Sequence, residues 1–297
     1  MRNAELSEVS DLSPLFVYCV AVPPSVPSFS IVNFPLFNNA SGAGSRSLLY
    51  PFCFDKGPLF GLRCGMYILG IETSTKTGSI AVVSESGVIA QYSLNIEVTH
   101  SERLMSTVDR VLKDTGISIR EMDAFAVAIG PGSFTGLRIG LATVKGLALA
   151  LHKPVAAVPT LQALAAGLPF AGYPVCSMLD ARKNEVYAAL YRFEGHRMVR
   201  IMAEEAIPIR DLAGRISGKT LFTGEASVIY RAELERQFSE NALFAPLAAV
   251  LPSAATVAEI GLALIKGGEQ ADLEGLAPLY IRRPEAEVAW EKRQRSP

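Results

Sequence analysis

The stretch Ala124-Phe125-Ala126-Val127-Ala128-Ile129 reads as a short buried strand, and it runs directly into Gly130-Pro131-Gly132-Ser133-Phe134-Thr135-Gly136-Leu137-Arg138. A helix continues from there to about Leu151. A buried strand joined to a helix by a tight turn demands a layered α/β domain. The helix adds a second constraint. It is apolar nearly all round, and Gly136, Gly140 and Gly146 lie inside it, each about 1 kcal/mol less favourable there than alanine. Close packing is expected to offset that. A helix with no polar face must be covered on both sides. One cover is the sheet; the other is a second domain or another chain. Arg138 and Lys145, seven residues apart, share one narrow face.

The turn leaves two readings open. Backbone N–H groups and the helix dipole at such a junction can hold an anion, making Gly130, Pro131, Gly132, Ser133, Thr135, Gly136 and Arg138 a candidate anion-binding loop. Glycine at positive φ in a tight turn explains the same residues without a ligand. The spacing is not that of a Walker A loop, because no G-x-x-x-x-G-K-[ST] is present, nor is it G-x-G-x-x-G, because the third glycine falls one residue late.

Around this junction the order of elements is regular. Met66 to Glu72, Ser79 to Ser84 and Val88 to Leu94 read as three strands joined by turns. Thr99-His100-Ser101-Glu102 fits a capping box that opens a helix, with Leu104, Val108, Val111 and Leu112 at helical spacing and Gly116 as its stop. Met105 lies off that stripe and is expected to face outward, as is Ala142 on the next helix. Asp109 and Lys113 form an i,i+4 pair in the favourable order. Pro154 to Val158 is a further strand, followed by a helix opened by Pro159-Thr160. The pattern β-β-β-α-β-α-β-α is that of a ribonuclease-H-like α/β domain. Beyond it, strands are expected at 175–179, 185–193 and 221–224, helices near Glu225 to Phe238 and Ser253 to Lys266, and an extended tail around Leu279 to Pro284. Both helices of the first half have more apolar breadth than one sheet contact uses. Leu104, Met105, Val108, Leu112, Arg138, Leu141, Ala142 and Lys145 are therefore the candidate partner interface.

Composition narrows the function. Lys+Arg 28 against Asp+Glu 29 gives a net charge of -1, which excludes a strongly basic nucleic-acid binder; any RNA contact is local or supplied by a partner. Mean hydropathy is +0.27 with 19% charged residues, yet no unbroken apolar run reaches the ~18 residues of a membrane helix. Cys19, Cys53, Cys64 and Cys176 show neither metal spacing nor a disulfide framework, so a reducing, cytoplasmic compartment is expected. His100, His152 and His196 are the only histidines. No two have metal-ligand spacing, and no H-E-x-x-H, G-x-S-x-G or Cys-His pairing occurs. Asp180 and Arg182, with Glu185, form a second polar motif at a strand end, suited to a polar ligand or to an internal ion pair. Residues 1–65 differ from the rest, with seven of the 14 Phe and seven of the 18 Pro and no regular period. They lack the pattern of a signal or transit peptide. An extension, disordered or produced by a start assigned too early, is expected there, with Met66 as the functional start.

The segments Met66 to Ser74, Gly130 to Gly140, Asp180-Ala181-Arg182 with Glu185-Val186-Tyr187, and Pro278 to Arg283 with Val288-Ala289-Trp290 resemble the TsaB (YeaZ) family. The match runs from Met66 almost to the end. The resemblance implies an actin/hexokinase-like (ASKHA) fold of two ribonuclease-H-like domains, here 66–165 and a reduced 166–297 with its tail. It implies a non-catalytic dimerisation or scaffold subunit of the complex that transfers a threonylcarbamoyl group to N6 of the adenosine beside the anticodon in tRNAs reading codons that begin with A. The implied partners are a TsaD-like catalytic paralogue with a His-x-x-x-His metal site, a TsaE-like ATPase, and tRNA indirectly; alone, the chain could form a homodimer. Neither catalytic residues nor a metal nor any cofactor are expected on this chain, with ATP and metal on the partner subunits. An older glycoprotease (M22) label for such proteins finds no protease chemistry in this sequence. Glu72 stands where an actin-like enzyme carries its metal-linked Asp, and the turn after it departs from the usual Gly-rich phosphate loop. The alternative is an independent sugar or acetate kinase of the same superfamily. If residues 1–65 are dispensable, a chain beginning at Met66 keeps the thermal midpoint and partner affinity of the full-length protein; a large loss of either contradicts this.

Overall fold

The computed structural model describes residues 65–95, 100–195 and 197–282, with the side chains of 95 and 100–102 excepted. Residues 1–64, the proposed cap at Thr99 to Glu102, His196 and the segment from Arg283 through Trp290 lie outside the described residues.

Two five-stranded sheets carry the fold. The first contains β1 (Tyr67–Glu72), β2 (Thr77–Ser84), β3 (Gly87–Asn95), β4 (Ala124–Gly130) and β5 (Val155–Pro159), in the order β3-β2-β1-β4-β5. The second contains β6 (Val175–Asp180), β7 (Glu185–Glu194), β8 (Arg197–Pro208), β9 (Thr220–Thr223) and β10 (Ala242–Phe244), in the order β10-β9-β6-β7-β8. In each, an antiparallel meander of three strands is followed by two strands parallel to its first. The chain is therefore two copies of the ribonuclease-H-like topology, as the sequence order predicts for the first half. The second sheet is complete in strand number. Its reduction lies in β9 and β10, four and three residues long, and in its short helices.

The helices are α1 (His100–Thr115), α2 (Phe134–Leu151), α3 (Thr160–Ala166), α4 (Glu225–Ile229), α5 (Arg231–Phe238) and α6 (Ala254–Lys266). α1 and α2 cover one face of the first sheet, where Leu104, Val108, Val111, Leu141 and Val144 pack on Leu69, Ile71, Phe125 and Val127. By length and composition alone α2 could cross a membrane; its apolarity is used against the sheet and the tail instead. The expected pair Asp109–Lys113 forms at 2.6 Å on the exposed side of α1. The single helix expected near Glu225 to Phe238 is broken at Tyr230, whose φ of -103° and ψ of 21° leave the helical region. The sequence reading missed β8, an edge strand whose Arg197, Arg200, Glu204 and Glu205 obscure any alternation.

Domain boundaries are where the structure departs most from the expectation. α6, assigned by sequence to the second domain, packs on the first sheet with Ala254, Val257 and Ala258 against Ile68, Ala81, Ala124 and Ala126. Conversely, α3, which ends at Ala166 and so contains the expected boundary, packs Leu161, Leu164 and Ala165 on Val175, Leu179 and Tyr191 of the second sheet, with Ala163 turned to the first. A cut at 165/166 therefore divides two exchanged helices wrongly. The reason is local. Ala124, Ala126 and Ala128 alternate with Phe125 and Val127 along β4, so one face of the sheet is nearly flat. Gly70 lies under Ala254 and Ala258, and Gly261 lies against Ala126. Only small residues on both surfaces allow so close a helix.

After α6 the chain returns across the first half. Ala271 N–H donates to Val155 C=O at 2.8 Å, Leu273 and Leu276 pack into the core beside α2, and Leu279 N–H donates to Ile129 C=O at 2.7 Å.

Two glycines on α6 and α2 give opposite expectations. A Cβ at Gly261 would sit 2.5 Å from the Ala126 Cβ, whereas one at Gly146 meets nothing within 4 Å. Gly261→Ala is expected to destabilise by about 1–3 kcal/mol through overpacking. Gly146→Ala is expected to stabilise by up to about 1 kcal/mol through helix propensity. Thermal melts of the two variants check both signs.

Candidate functional site

The Gly-rich turn, the β1–β2 turn and the tail meet at one end of the first sheet. Ser133 N–H donates to Ser74 C=O at 2.5 Å, and Gly132 lies so close to Ser74 that any Cβ would collide with its carbonyl oxygen. Ser133 caps α2, its Oγ accepting from Gly136 N–H at 3.3 Å. Thr73 Oγ1 donates to Gly136 C=O at 2.8 Å, and Gly140 leaves the space that Thr73 fills. Two of the interior glycines of α2 are thus used by its own β1–β2 turn. Of the two readings left open for Gly130 to Gly136, the tight clamp accounts for Gly132, Ser133 and Gly136. An anion there would have to do without the Ser133 and Gly136 N–H groups, which are already bonded. Thr135 and Arg138 are exposed at its edge.

Arg138 and Lys145 do share one face, and the tail occupies it. Tyr280 stacks on Phe134 at 4.5 Å between centroids, Arg138 lies 4.2 Å over the Phe134 ring, and its Nε donates to Tyr280 Oη at 2.9 Å. Lys145 Nζ donates to Glu274 C=O at 3.4 Å. The second half of the tail reaches the other sheet: Arg282 donates to Ala181 C=O at 3.2 Å and pairs with Glu185. This explains the second motif in part. Glu185 receives the tail, while Asp180 Oδ1 accepts from Arg182 N–H and from Tyr230 Oη, both at 3.0 Å. The Arg182 side chain is exposed and does not pair with Asp180.

The candidate partner interface divides. Leu104, Val108 and Leu141 are 5%, 2% and 4% exposed and belong to the core. They correct the expectation, because the apolar stripe assigned to a partner is the stripe that covers the first sheet. Leu112 is half-buried against the same core. Met105 and Ala142 face outward as the helical phase predicts, and Leu149 of α2, missed by the sequence reading, is 62% exposed, against 51% for Met105.

Glu72 is the electrostatic anomaly. It ends β1 fully buried, with Oε1 accepting from Ser74 N–H at 2.7 Å and Oε2 without a hydrogen bond. Burial pushes its carboxyl up to about 7, partly opposed by the Ser74 hydrogen bonds and reinforced by the nearby Glu225 carboxylate. Glu225 is itself raised, by burial and by Asp180, against a smaller lowering from Lys76. Among the described residues, no group of three or more His, Cys, Asp and Glu side chains is arranged to hold a metal ion.

The family model described as TsaD, tRNA N6-adenosine threonylcarbamoyltransferase, matches residues 88–290. The tRNA threonylcarbamoyladenosine biosynthesis protein TsaB of Bacillus subtilis is 33% identical over 234 residues, covering 77% of this chain and 100% of the relative. This chain belongs to the TsaB (YeaZ) family. The TsaB of Escherichia coli is 29% identical over 235 residues, covering 76% of this chain and 98% of the relative. A solved YeaZ structure from Pseudomonas aeruginosa superposes with a TM-score of 0.61 at 28% identity, covering 72% of this chain and 99% of that one. TsaB relatives thus match over about three quarters of this chain and over essentially their own full length.

Glu72 also predicts a pH dependence. Its folded pKa is raised to about 7, so the folded state holds a proton that the unfolded chain has released. The associated stability is present below the ordinary carboxylate range and is lost as pH rises through 7. A shift of this size corresponds to at most about 3 kcal/mol. Glu72→Gln is expected to flatten the fall in thermal midpoint between pH 5 and 8; an unchanged slope would show that Glu72 is ionised throughout.

Proposed function

We propose that this chain is a non-catalytic subunit of the machinery that attaches threonylcarbamoyl to N6 of adenosine in tRNA. Its α1–α2 face docks on a catalytic paralogue of the TsaD type, and a TsaE-type ATPase joins the assembly. ATP and metal are held by those subunits, and tRNA is handled chiefly through them. Family membership supports the process, since TsaB relatives carry its name. The docking face rests on one observation: Met105, Ala142 and Leu149 stand exposed along the outer side of α1 and α2, with open space at Gly146. Helices packing against helices favour such a surface, and small residues let the partners approach closely. In the absence of the catalytic partner, the same face would pair two copies of the chain.

The alternative of an independent sugar or acetate kinase draws less support. Such an enzyme needs free phosphate-binding N–H groups. Here the Gly-rich loop spends two on Ser74 and on the Ser133 cap, and Glu72 puts a buried carboxyl beside the turn.

Met105→Glu and Leu149→Glu each place a charge where the proposed contact would bury it, a substitution that costs several kcal/mol when the charge has no partner. Each variant is expected to keep a native circular dichroism spectrum and to lose co-elution with the TsaD-type partner. Folded variants that bind at full affinity would place the interface elsewhere.

A further inference from the structure

The tail is bonded to both halves, and its two attachments are unequal. On the first half Ala271 and Leu279 donate backbone hydrogen bonds to Val155 and Ile129 at 2.8 and 2.7 Å, Leu273 and Leu276 pack into the core, and Tyr280 stacks on Phe134 and accepts from Arg138. Among the described residues, the polar contacts of the tail with the second half come from one side chain, Arg282. It donates to Ala181 C=O at 3.2 Å and pairs with Glu185. The two side chains of that pair stay 34% and 28% exposed, so water and salt weaken it. Tyr280 and Arg282 are two residues apart, at most about 7 Å of backbone, which leaves little slack between the attachments. Parting the halves at this end would release one of them, and the weaker is Arg282.

Arg282 grips a strained turn. Arg182-Lys183-Asn184, between β6 and β7, are three consecutive non-glycine residues at φ 62°, 55° and 58°. L-residues visit the left-handed region singly, so a run of three persists only where the surroundings impose it. Four hydrogen bonds frame the run: Ala181 N–H to Glu185 C=O at 2.9 Å, Arg182 N–H to Asp180 Oδ1 at 3.0 Å, Glu185 N–H to Arg182 C=O at 3.1 Å, and Ile209 N–H to Asn184 C=O at 3.0 Å. Ala181 and Glu185 flank the run, and they are the two residues that Arg282 holds. The grip therefore closes the base of the turn and opposes its opening. Lys183, Asn184 and Glu185 also wall a cavity of about 510 Å³, with Pro208 and Tyr230 opposite, so the conformation of the turn sets the shape of that cavity.

The geometry points to a strap with a catch: the tail is anchored on the first half, and Arg282 latches the β6–β7 turn of the second, so that releasing Arg282 frees the halves at this end and lets the turn leave the left-handed region. Backbone held in a sparsely populated region relaxes once the constraint is gone. The turn is thus an element with two arrangements, and the strap selects between them. Arg138 and Lys145 of α2 hold the anchored part of the strap. A change on that flank of α2 is passed to the turn, and by linkage a change at the turn is passed back. The device is independent of what docks on the outer side of α1 and α2.

Hydrogen exchange of the full-length protein tests the catch, in the parent and in Arg282→Ala. The amides of Ala181, Arg182, Glu185 and Ile209 are expected to exchange about tenfold faster in the variant, the effect of losing one charge-assisted hydrogen bond that opposes local opening. The Leu279 amide and those of β4 and α2 are expected to keep the parent's rates, because the anchored part of the strap is untouched. Arg282→Lys keeps the charge without the planar fork and is expected to fall between the two. Arg192→Ala, the loss of an exposed arginine elsewhere on β7, is expected to change none of these amides. Parent-like rates at the turn in Arg282→Ala would show that its own hydrogen bonds hold it, and overturn the catch. A rise of equal size throughout both sheets would be general destabilisation and overturn it too. Tyr280→Ala loosens the strap at the first half and is expected to speed the same turn amides; parent-like rates there would reduce Arg282 to a local clamp and overturn the coupling. Should Arg282→Ala not fold, Glu185→Gln, which removes the ion pair and keeps the Ala181 hydrogen bond, is read by the same criterion.

Discussion

Each sheet of this protein is covered on one face by a helix that follows the other half's strands in sequence. α6 closes the first sheet and α3 the second. Without that exchange, a face built from Ile68, Ala81, Ala126 and Val158 would be open to water, and neither half would bury both sides of its central strands. The exchange also fixes the path of the tail. Once α6 is seated on the first sheet, the chain after Lys266 must leave from there, and it runs along β5 and the flank of α2 before reaching the second half.

That route decides what the polar motifs do. The tail binds the Gly130 turn through Leu279, the α2 flank through Tyr280 and the second motif through Arg282. Residues that suggest a ligand in isolation are thereby tied into the fold: Arg138 by Tyr280, Glu185 by Arg282, Ser133 by Ser74. The outer strip of α1 and α2 stays on the surface, with Met105 and Leu149 exposed.

Much of the first half was legible in the sequence because β1, β2, β4 and β5 are apolar and largely buried and its turns carry glycines, as at Gly130 and Gly87. The outward phase of Met105 and Ala142 was also legible, since helical period alone sets it. The same period could not say that Leu104, Val108 and Leu141 serve the chain's own sheet, because a stripe looks alike whether a sheet or a partner covers it. β8 escaped notice because an exposed edge strand carries charges in place of alternation. The destination of α6 had a signal, the Ala124-Ala126-Ala128 alternation with Gly70 and Gly261, but it becomes specific only when helix and sheet are set side by side. The tail contacts had none, since Tyr280 and Arg282 meet residues more than 100 positions away. Glu72 is visible in the sequence as a lone acid in an apolar strand; the influence of Glu225 on it comes from the second half and has no local signal.

The central claim is that this chain works by presenting its α1–α2 face to a catalytic partner. Hydrogen exchange of the full-length protein, with and without a TsaD-type subunit, tests it most directly. The account predicts slowed exchange across residues 103–112 and 138–151 on partner addition, with β7 and β8 exchanging at their free rates. Protection confined to the second half, with α1 and α2 unchanged, would contradict it.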